Sequence, residues 1–272
     1  LIPLATFAMD TYADTDLSRF SLKLSKEKDQ TDYKLEVMMH KAITIIQFKL
    51  EGQLIKRNPE FEMDDRLLLD KIDYINNTVI INKKSYDMLD MDFPTVDKDD
   101  PYALSKEEEI VVEKIKHAFT HSEKLQRHIR FLYTKGSMYK IYNSNLLYHG
   151  CVPLDENGEF KKVRIFGDDY SGKALYDVLE HYARKGFFSK NPENKRKGED
   201  ILYYIWANPN SPVFGKDKMA TFETYFVEDK EVRKEKKNKY YELLDDEKTV
   251  DKILKEFSLD PRYSHIINGH VP

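Results

Sequence analysis

The apolar period of this chain changes at Gly136, and that change constrains its fold more than any other feature. Upstream, Leu35, Met39, Ala42, Ile46, Leu50 and Leu54 fall at the spacing of a helix with one buried stripe. Pro59 ends or bends that helix, and Phe61–Ile72 reads as another. Thr78–Ile81, the polar turn Asn82-Lys83-Lys84 and Ser85–Met88 read as a β-hairpin. Ser105 with Glu108 three positions on forms a capping box. Beyond it Val111, Ile115, Ala118, Ser122, Leu125, Ile129 and Leu132 keep a helical period, so one helix is predicted over 105–134. In that helix Val111, Ile115, Leu125, Ile129 and Leu132 should be buried, and Glu107, Lys114 and Lys124 exposed.

After Gly136 short strand-like runs take over: Tyr139–Tyr142, Leu146–Tyr148, Val163–Phe166 and His265–Asn268. Helices are predicted from Ser171 to Gly186 and over Glu247–Phe257, with a further short one at 3–14. Ser25–Lys34 and Asn191–Lys197 read as polar connections. The class is therefore α/β, with a mainly helical part carrying a hairpin over 1–104 and an α/β part over 105–272.

Composition narrows the function. With 44 basic and 48 acidic residues the net charge is −4, which is no electrostatic footprint for nucleic acid. A single cysteine, Cys151, forbids an intrachain disulfide and suits a reducing, cytoplasmic setting. No run approaches the ~20 apolar residues of a membrane span, and the start has no signal-peptide pattern. Both ends read as cut, so the sequence is taken as an internal stretch of a longer chain.

Two histidines share one setting. His149 and His270 each end an apolar strand beside a glycine, in Leu146-Leu147-Tyr148-His149-Gly150 and His265-Ile266-Ile267-Asn268-Gly269-His270. A strand end holds an imidazole rigidly, and a neighbouring glycine lets backbone or ligand approach, which suits a metal ligand. The bland alternative is an ordinary hydrogen-bonded residue.

Longer strings decide between these. His121-Ser122-Glu123-Lys124-Leu125, Lys135-Gly136-Ser137-Met138-Tyr139 and Tyr142 through Pro153 resemble the class III (Firmicutes-type) fructose-1,6-bisphosphatases. So do Ser211-Pro212-Val213-Phe214-Gly215-Lys216, Met219-Ala220-Thr221-Phe222-Glu223 and Ile266-Ile267-Asn268-Gly269-His270-Val271-Pro272, all in order along the chain. The resemblance implies a calcineurin-like metallophosphoesterase sandwich, incomplete in this chain, with a large mainly helical insertion. It implies hydrolysis of the 1-phosphate of fructose 1,6-bisphosphate in gluconeogenesis, with a binuclear Mn2+ site that activates water and clamps the phosphoryl group. It makes His149 and His270 metal ligands and a sugar bisphosphate the partner; self-association is left open. Lys216 and Lys218 stand as point-charge contacts to substrate. Asn208 joins them because Trp206-Ala207-Asn208-Pro209 resembles a turn near the active site of protein Ser/Thr phosphatases.

The superfamily's Asp-x-His, Gly-Asp-x-x-Asp-Arg and Gly-Asn-His motifs do not occur here, so no catalytic residue is assigned and the stretch by itself is expected to be inactive. Two rival readings remain, a metallophosphoesterase of other specificity (phosphoprotein or dinucleotide) and a non-catalytic helical regulatory module. Gly167-Asp168-Asp169-Tyr170-Ser171-Gly172-Lys173-Ala174 is one residue from a phosphate-binding loop, but Ala174 replaces the magnesium-binding hydroxyl and two aspartates stand where donors are needed. His117 and His121 lie at i, i+4 without an evident third ligand. Trp206 and Cys151 read as packed side chains, and Lys230–Lys239 as a solvated charge run.

Overall fold

The computed structural model describes residues 2–20 and 30–270. The helices are α1 (Ile2–Tyr12), α2 (Gln30–Arg57), α3 (Lys106–Thr120), α4 (Glu123–Lys135), α5 (Gly172–Phe188), α6 (Pro192–Ala207), α7 (Thr221–Phe226) and α8 (Glu247–Glu256). The strands are β1 (Ile72–Asp73), β2 (Thr78–Ile81), β3 (Lys84–Asp87), β4 (Tyr139–Tyr142), β5 (Asn145–His149), β6 (Val163–Ile165), β7 (Asp168–Tyr170) and β8 (His265–Gly269). The chain is a mixed α/β protein with small sheets in the orders β1-β2-β3, β4-β5-β8 and β6-β7.

Packing groups Leu1–Arg127 with Ala220–Lys234, and His128–Met219 with Glu235–Pro272. That division falls elsewhere than the 104/105 boundary read from the sequence. The charge run does not simply connect; its first residues pack with one unit and its last with the other.

In the first unit α1, α2 and α3 close over Leu4, Phe7, Tyr12, Ala42, Ile46 and Val111. Helix α2 is covered on more than one stripe. Ile45, Phe48 and Ile55 are buried beside Ala42, Ile46 and Leu54, whereas Leu50 is exposed. Two of its lysines are buried with partners, Lys41 with Asp90 at 2.8 Å and Lys49 with Glu108 at 2.7 Å. The polar loop expected at Ser25–Lys34 lies outside the described residues up to 29, and 30–34 are the first turn of α2. Phe61–Ile72 is not a helix. It is a chain of short 3-10 turns, Pro59–Phe61, Asp64–Arg66 and Leu69–Lys71, leading into β1. Glu62 takes a left-handed φ of 53°, which a continuing helix forbids. The consecutive Leu67, Leu68 and Leu69 are all buried, which no single helix face provides. The expected hairpin forms as β2–β3, with positive φ at both Asn82 and Lys83, as a type I′ turn requires.

The helix predicted over 105–134 breaks at His121-Ser122 into α3 and α4. Its start is as expected, with both hydrogen bonds of the Ser105–Glu108 capping box present. Ser122, expected on the buried stripe, instead restarts the helix: its hydroxyl lies 3.5 Å from the Leu125 N–H, in the N-cap position. Of the expected buried residues only Val111 is enclosed; Ile115, Leu125 and Ile129 are half-buried and Leu132 is 64% exposed. Glu107, Lys114 and Lys124 are exposed as expected.

In the second unit β4 and β5 pair through the turn Asn143-Ser144, and β5 pairs with β8 in parallel, Leu146 opposite Ile266 and His149 opposite Gly269. The inner face of this sheet packs Leu146 and Tyr148 against Tyr176, Tyr240, Ile253 and Phe257. Helices α5 and α6 cross at Gly186 and Gly198, where a side-chain carbon on either would come within 2.5 Å of the other's Cα. Asn191–Lys197 is helical rather than a connection, because Asn191 caps the N–H groups of Glu193 and Asn194 and Pro192 occupies the first turn. Trp206, read as a core aromatic, is 49% exposed, since α6 turns Ile201 and Tyr204 inward instead.

Candidate functional site

Alternation along β5 sends Leu146 and Tyr148 into the core and leaves His149 at the exposed end of the strand. In-register pairing then sets the end of β8 beside it. The Gly150 N–H donates to the Gly269 carbonyl at 2.9 Å, and the Asn268 side-chain amide donates to the Gly150 carbonyl at 3.0 Å. Gly150 has φ 96°, and a Cβ there would stand 2.2 Å from the Pro212 carbonyl oxygen. Only glycine lets the 211–216 loop close on the strand end. The Cys151 N–H donates to that same carbonyl at 2.7 Å.

The two histidines meet. His270 Nδ1 and His149 Nε2 are 2.8 Å apart in a hydrogen bond, the ring centroids are 4.7 Å apart and the planes cross at 77°. His270 also carries φ 110°, a strained region for a non-glycine residue. Its pKa is held below the usual imidazole value, first by burial, then by the charges of His149 and Lys216, against a hydrogen bond with the Phe214 backbone. Two imidazoles meeting at an exposed strand end are side chains of the type that binds divalent cations, once the hydrogen bond between them is given up. Among the described residues no group of three or more His, Cys, Asp or Glu could hold a metal ion, so the pair by itself would leave a cation's shell incomplete.

Lys216 is half-exposed, with Nζ 2.8 Å from Glu235 Oε2. Lys218 lies half-buried two residues on. Asn208 is fully buried; its side-chain oxygen accepts the Asn210 N–H at 2.8 Å and its carbonyl the Ser211 N–H at 2.9 Å. It therefore shapes the loop that reaches Gly150, and its side chain is not offered to a ligand. The sequence reading missed Asn268, Pro212 and Phe214 as framework of the site. Their only signal was membership of the strings around Gly269 and Gly215. Cys151 is buried, and burial pushes its thiol up to about 12, which removes it as a nucleophile.

The remaining motifs resolve as ordinary structure. The phosphate-loop lookalike is the β6–β7 hairpin, with Asp169 bound to Arg164 at 2.9 Å. The N–H of Lys173 at the start of α5 donates to the Glu256 carboxylate. His117 and His121 stack at the exposed end of α3 with centroids 3.8 Å apart.

Comparison with known proteins bears on the family. The family model described as Firmicute fructose-1,6-bisphosphatase matches residues 1–272. A curated relative from Clostridium botulinum (strain Kyoto / Type A2), named fructose-1,6-bisphosphatase class 3, is 53% identical over 274 residues, covering 100% of this chain and 41% of the relative. One of the same name from Clostridium novyi (strain NT) is 54% identical with the same coverage. The chain thus spans about two fifths of the length of the curated relatives it matches. No solved structure matches. With a family model matched over residues 1–272 and a curated relative 53% identical across the whole chain, this chain belongs to the Firmicute fructose-1,6-bisphosphatase family.

Proposed function

We propose that this chain supplies part of the metal centre and the phosphate-facing loop of a phosphatase that removes the 1-phosphate from fructose 1,6-bisphosphate, the compound in its relatives' name. The observation that carries the reading is the meeting of His149 and His270 at 2.8 Å from strands far apart in sequence. Manganese is the metal we assign, held in part by these two imidazoles, in a cytoplasmic, gluconeogenic enzyme. When bound, a pair of such ions supplies an activated water and neutralises charge on the phosphoryl oxygens.

The chain's own residues orient and hold. Asn268 and Gly150 tie the two strand ends together, and the rings of His149 and His270 meet there. Loop 211–216, shaped by Asn208, brings the Phe214 carbonyl to His270 and the Lys216 ammonium close enough for its charge to be felt there. Lys216 and Lys218 are the cations we assign to the substrate. An open cleft of about 390 Å3 lies along the sheet beside His149, lined by Lys140, Leu147, Ile267 and Gly269 among others. The parallel β5–β8 pair is the part of a calcineurin-like sandwich we assign to this chain. Neither a different specificity nor a purely regulatory module draws support from any particular residue here.

The test is phosphate release from fructose 1,6-bisphosphate with Mn2+. A full-length clostridial relative should turn over, and alanine at either residue corresponding to His149 or His270 should reduce kcat/KM by about 100-fold or more. This chain alone should release none, because two neutral imidazoles cannot hold a binuclear site. Full activity in either variant would remove that histidine from the centre.

A further inference from the structure

Register decides which side chains share the face of the sheet that carries His149. Along β5, Leu147 and His149 point one way, and Leu146 and Tyr148 point the other, into the core. Antiparallel pairing sets Lys140 of β4 opposite Leu147, and parallel pairing sets Ile267 of β8 opposite it on the other side. The open cleft beside His149 runs along this outer face. Met138, Leu147 and Ile267 make it apolar, and among the described residues Lys140 is the one permanently charged side chain that lines it. Lys140 and His149 are diagonal neighbours across the β4–β5 pair, their Cα atoms roughly 7–8 Å apart at ordinary sheet spacing. The Lys140 ammonium leans further off, 6.0 Å from the centroid of the Tyr142 ring. Tyr142 pairs with Asn145, at the end of the sheet remote from His149. Among the described residues Lys140 makes no ion pair, whereas Lys216 is held by Glu235 and Lys173 by Asp177. An exposed ammonium with only a distant ring beside it gives up little to take an anion.

We propose that Lys140 is a specificity-determining residue that receives the 6-phosphate, the one that stays on the sugar, while the 1-phosphate lies at the histidine pair. The inference rests on the phosphatase reading for the identity of the substrate. The cleft has His149 at one end and a free cation toward the other, separated by an apolar floor, which matches a sugar with a phosphate on each end. The sugar then lies over Leu147 and Ile267, and the distal phosphate gains a charge-assisted contact that a monophosphate without it does not make. Because the 6-phosphate takes no part in bond breaking, this contact is the same in the ground state and the transition state. It therefore acts on KM and leaves kcat nearly alone.

Steady-state kinetics of the full-length clostridial relative with Mn2+, on fructose 1,6-bisphosphate and on fructose 1-phosphate, test the assignment. Lys140→Met, made at the corresponding position, should raise KM for the bisphosphate about tenfold with kcat within about twofold. For fructose 1-phosphate, which lacks the distal group, kcat/KM should fall by no more than about twofold, so the preference between the two substrates collapses. Lys140→Arg should keep most of that preference, since it keeps the charge. Equal losses on both substrates would mean a structural role and would overturn the proposal. An unchanged preference would do the same, as would a relative that carries no cation at that position and still favours the bisphosphate. The two readings fail differently. An unaltered relative that does not hydrolyse the bisphosphate removes the phosphatase reading and Lys140's role with it, whereas an active relative whose preference survives Lys140→Met removes Lys140 alone.

Discussion

At the residue scale, Cys151 shows how position overrides chemical identity. It follows His149 by two residues, yet it is fully enclosed between the 211–216 loop and the tyrosines beneath the sheet, and the Tyr176 hydroxyl donates to its carbonyl at 2.7 Å. Burial raises the thiol from its ordinary 9.0 to about 12. The folded thiol therefore stays neutral while the unfolded one ionises above its ordinary value. The associated stability is full below that value and is lost as pH rises toward about 12. Alkylation by iodoacetamide at pH 8 should be at least about 100-fold slower in the native chain than in urea. Its native rate should show no titration step between pH 7 and 10. Comparable native and denatured rates would mean that the strand end opens readily.

At the element scale, the start of α3 joins a local signal to a distant partner. Glu108 closes the capping box by accepting the Ser105 N–H at 2.7 Å, and the same carboxylate takes Lys49 of α2 at 2.7 Å and the Thr95 hydroxyl at 2.6 Å. Both side chains of the Lys49–Glu108 pair are fully buried. Glu108→Gln keeps a capping acceptor but leaves the Lys49 ammonium without its counter-charge, and should cost about 3–5 kcal/mol. Adding Lys49→Met should recover a large part of that loss. Urea unfolding of the two single variants and the double variant measures the coupling; additive effects would show that the pair does not act as a unit. By contrast α4 has no fully buried residue, so substitutions on it should be mild by comparison.

At the scale of the whole molecule, the proposed metal role depends on how many ligands the chain brings together. Two neutral imidazoles bind a divalent cation weakly, with a dissociation constant on the order of 1 mM, so 1 mM Mn2+ should stabilise the chain by only about 0.4 kcal/mol. The thermal midpoint should move by less than about 2 °C. His149→Ala or His270→Ala should abolish even that shift. A shift above about 5 °C that survives both variants would point to a different metal site.

What the sequence determined is what depends on near neighbours. The α/β class, the β2–β3 hairpin with its Asn82-Lys83 turn, the Ser105–Glu108 capping box and the strand-end settings of His149 and His270 are local patterns, and each is present. The family was legible because long strings preserve it. The tertiary structure decided whatever depends on contacts between distant segments. It made Ser122 a helix restart rather than a core position, turned Leu50, Leu132 and Trp206 outward, and used Asn208 to build a loop. It also set Lys237 opposite Lys216, which no spacing within the charge run could foretell. The physical reason is range: hydrogen bonds and side-chain alternation act over two to four residues, whereas enclosure and the meeting of charges depend on which segments the fold brings together. His149 and His270 were recognisable one by one. Only the parallel register of β5 with β8 put their nitrogens 2.8 Å apart.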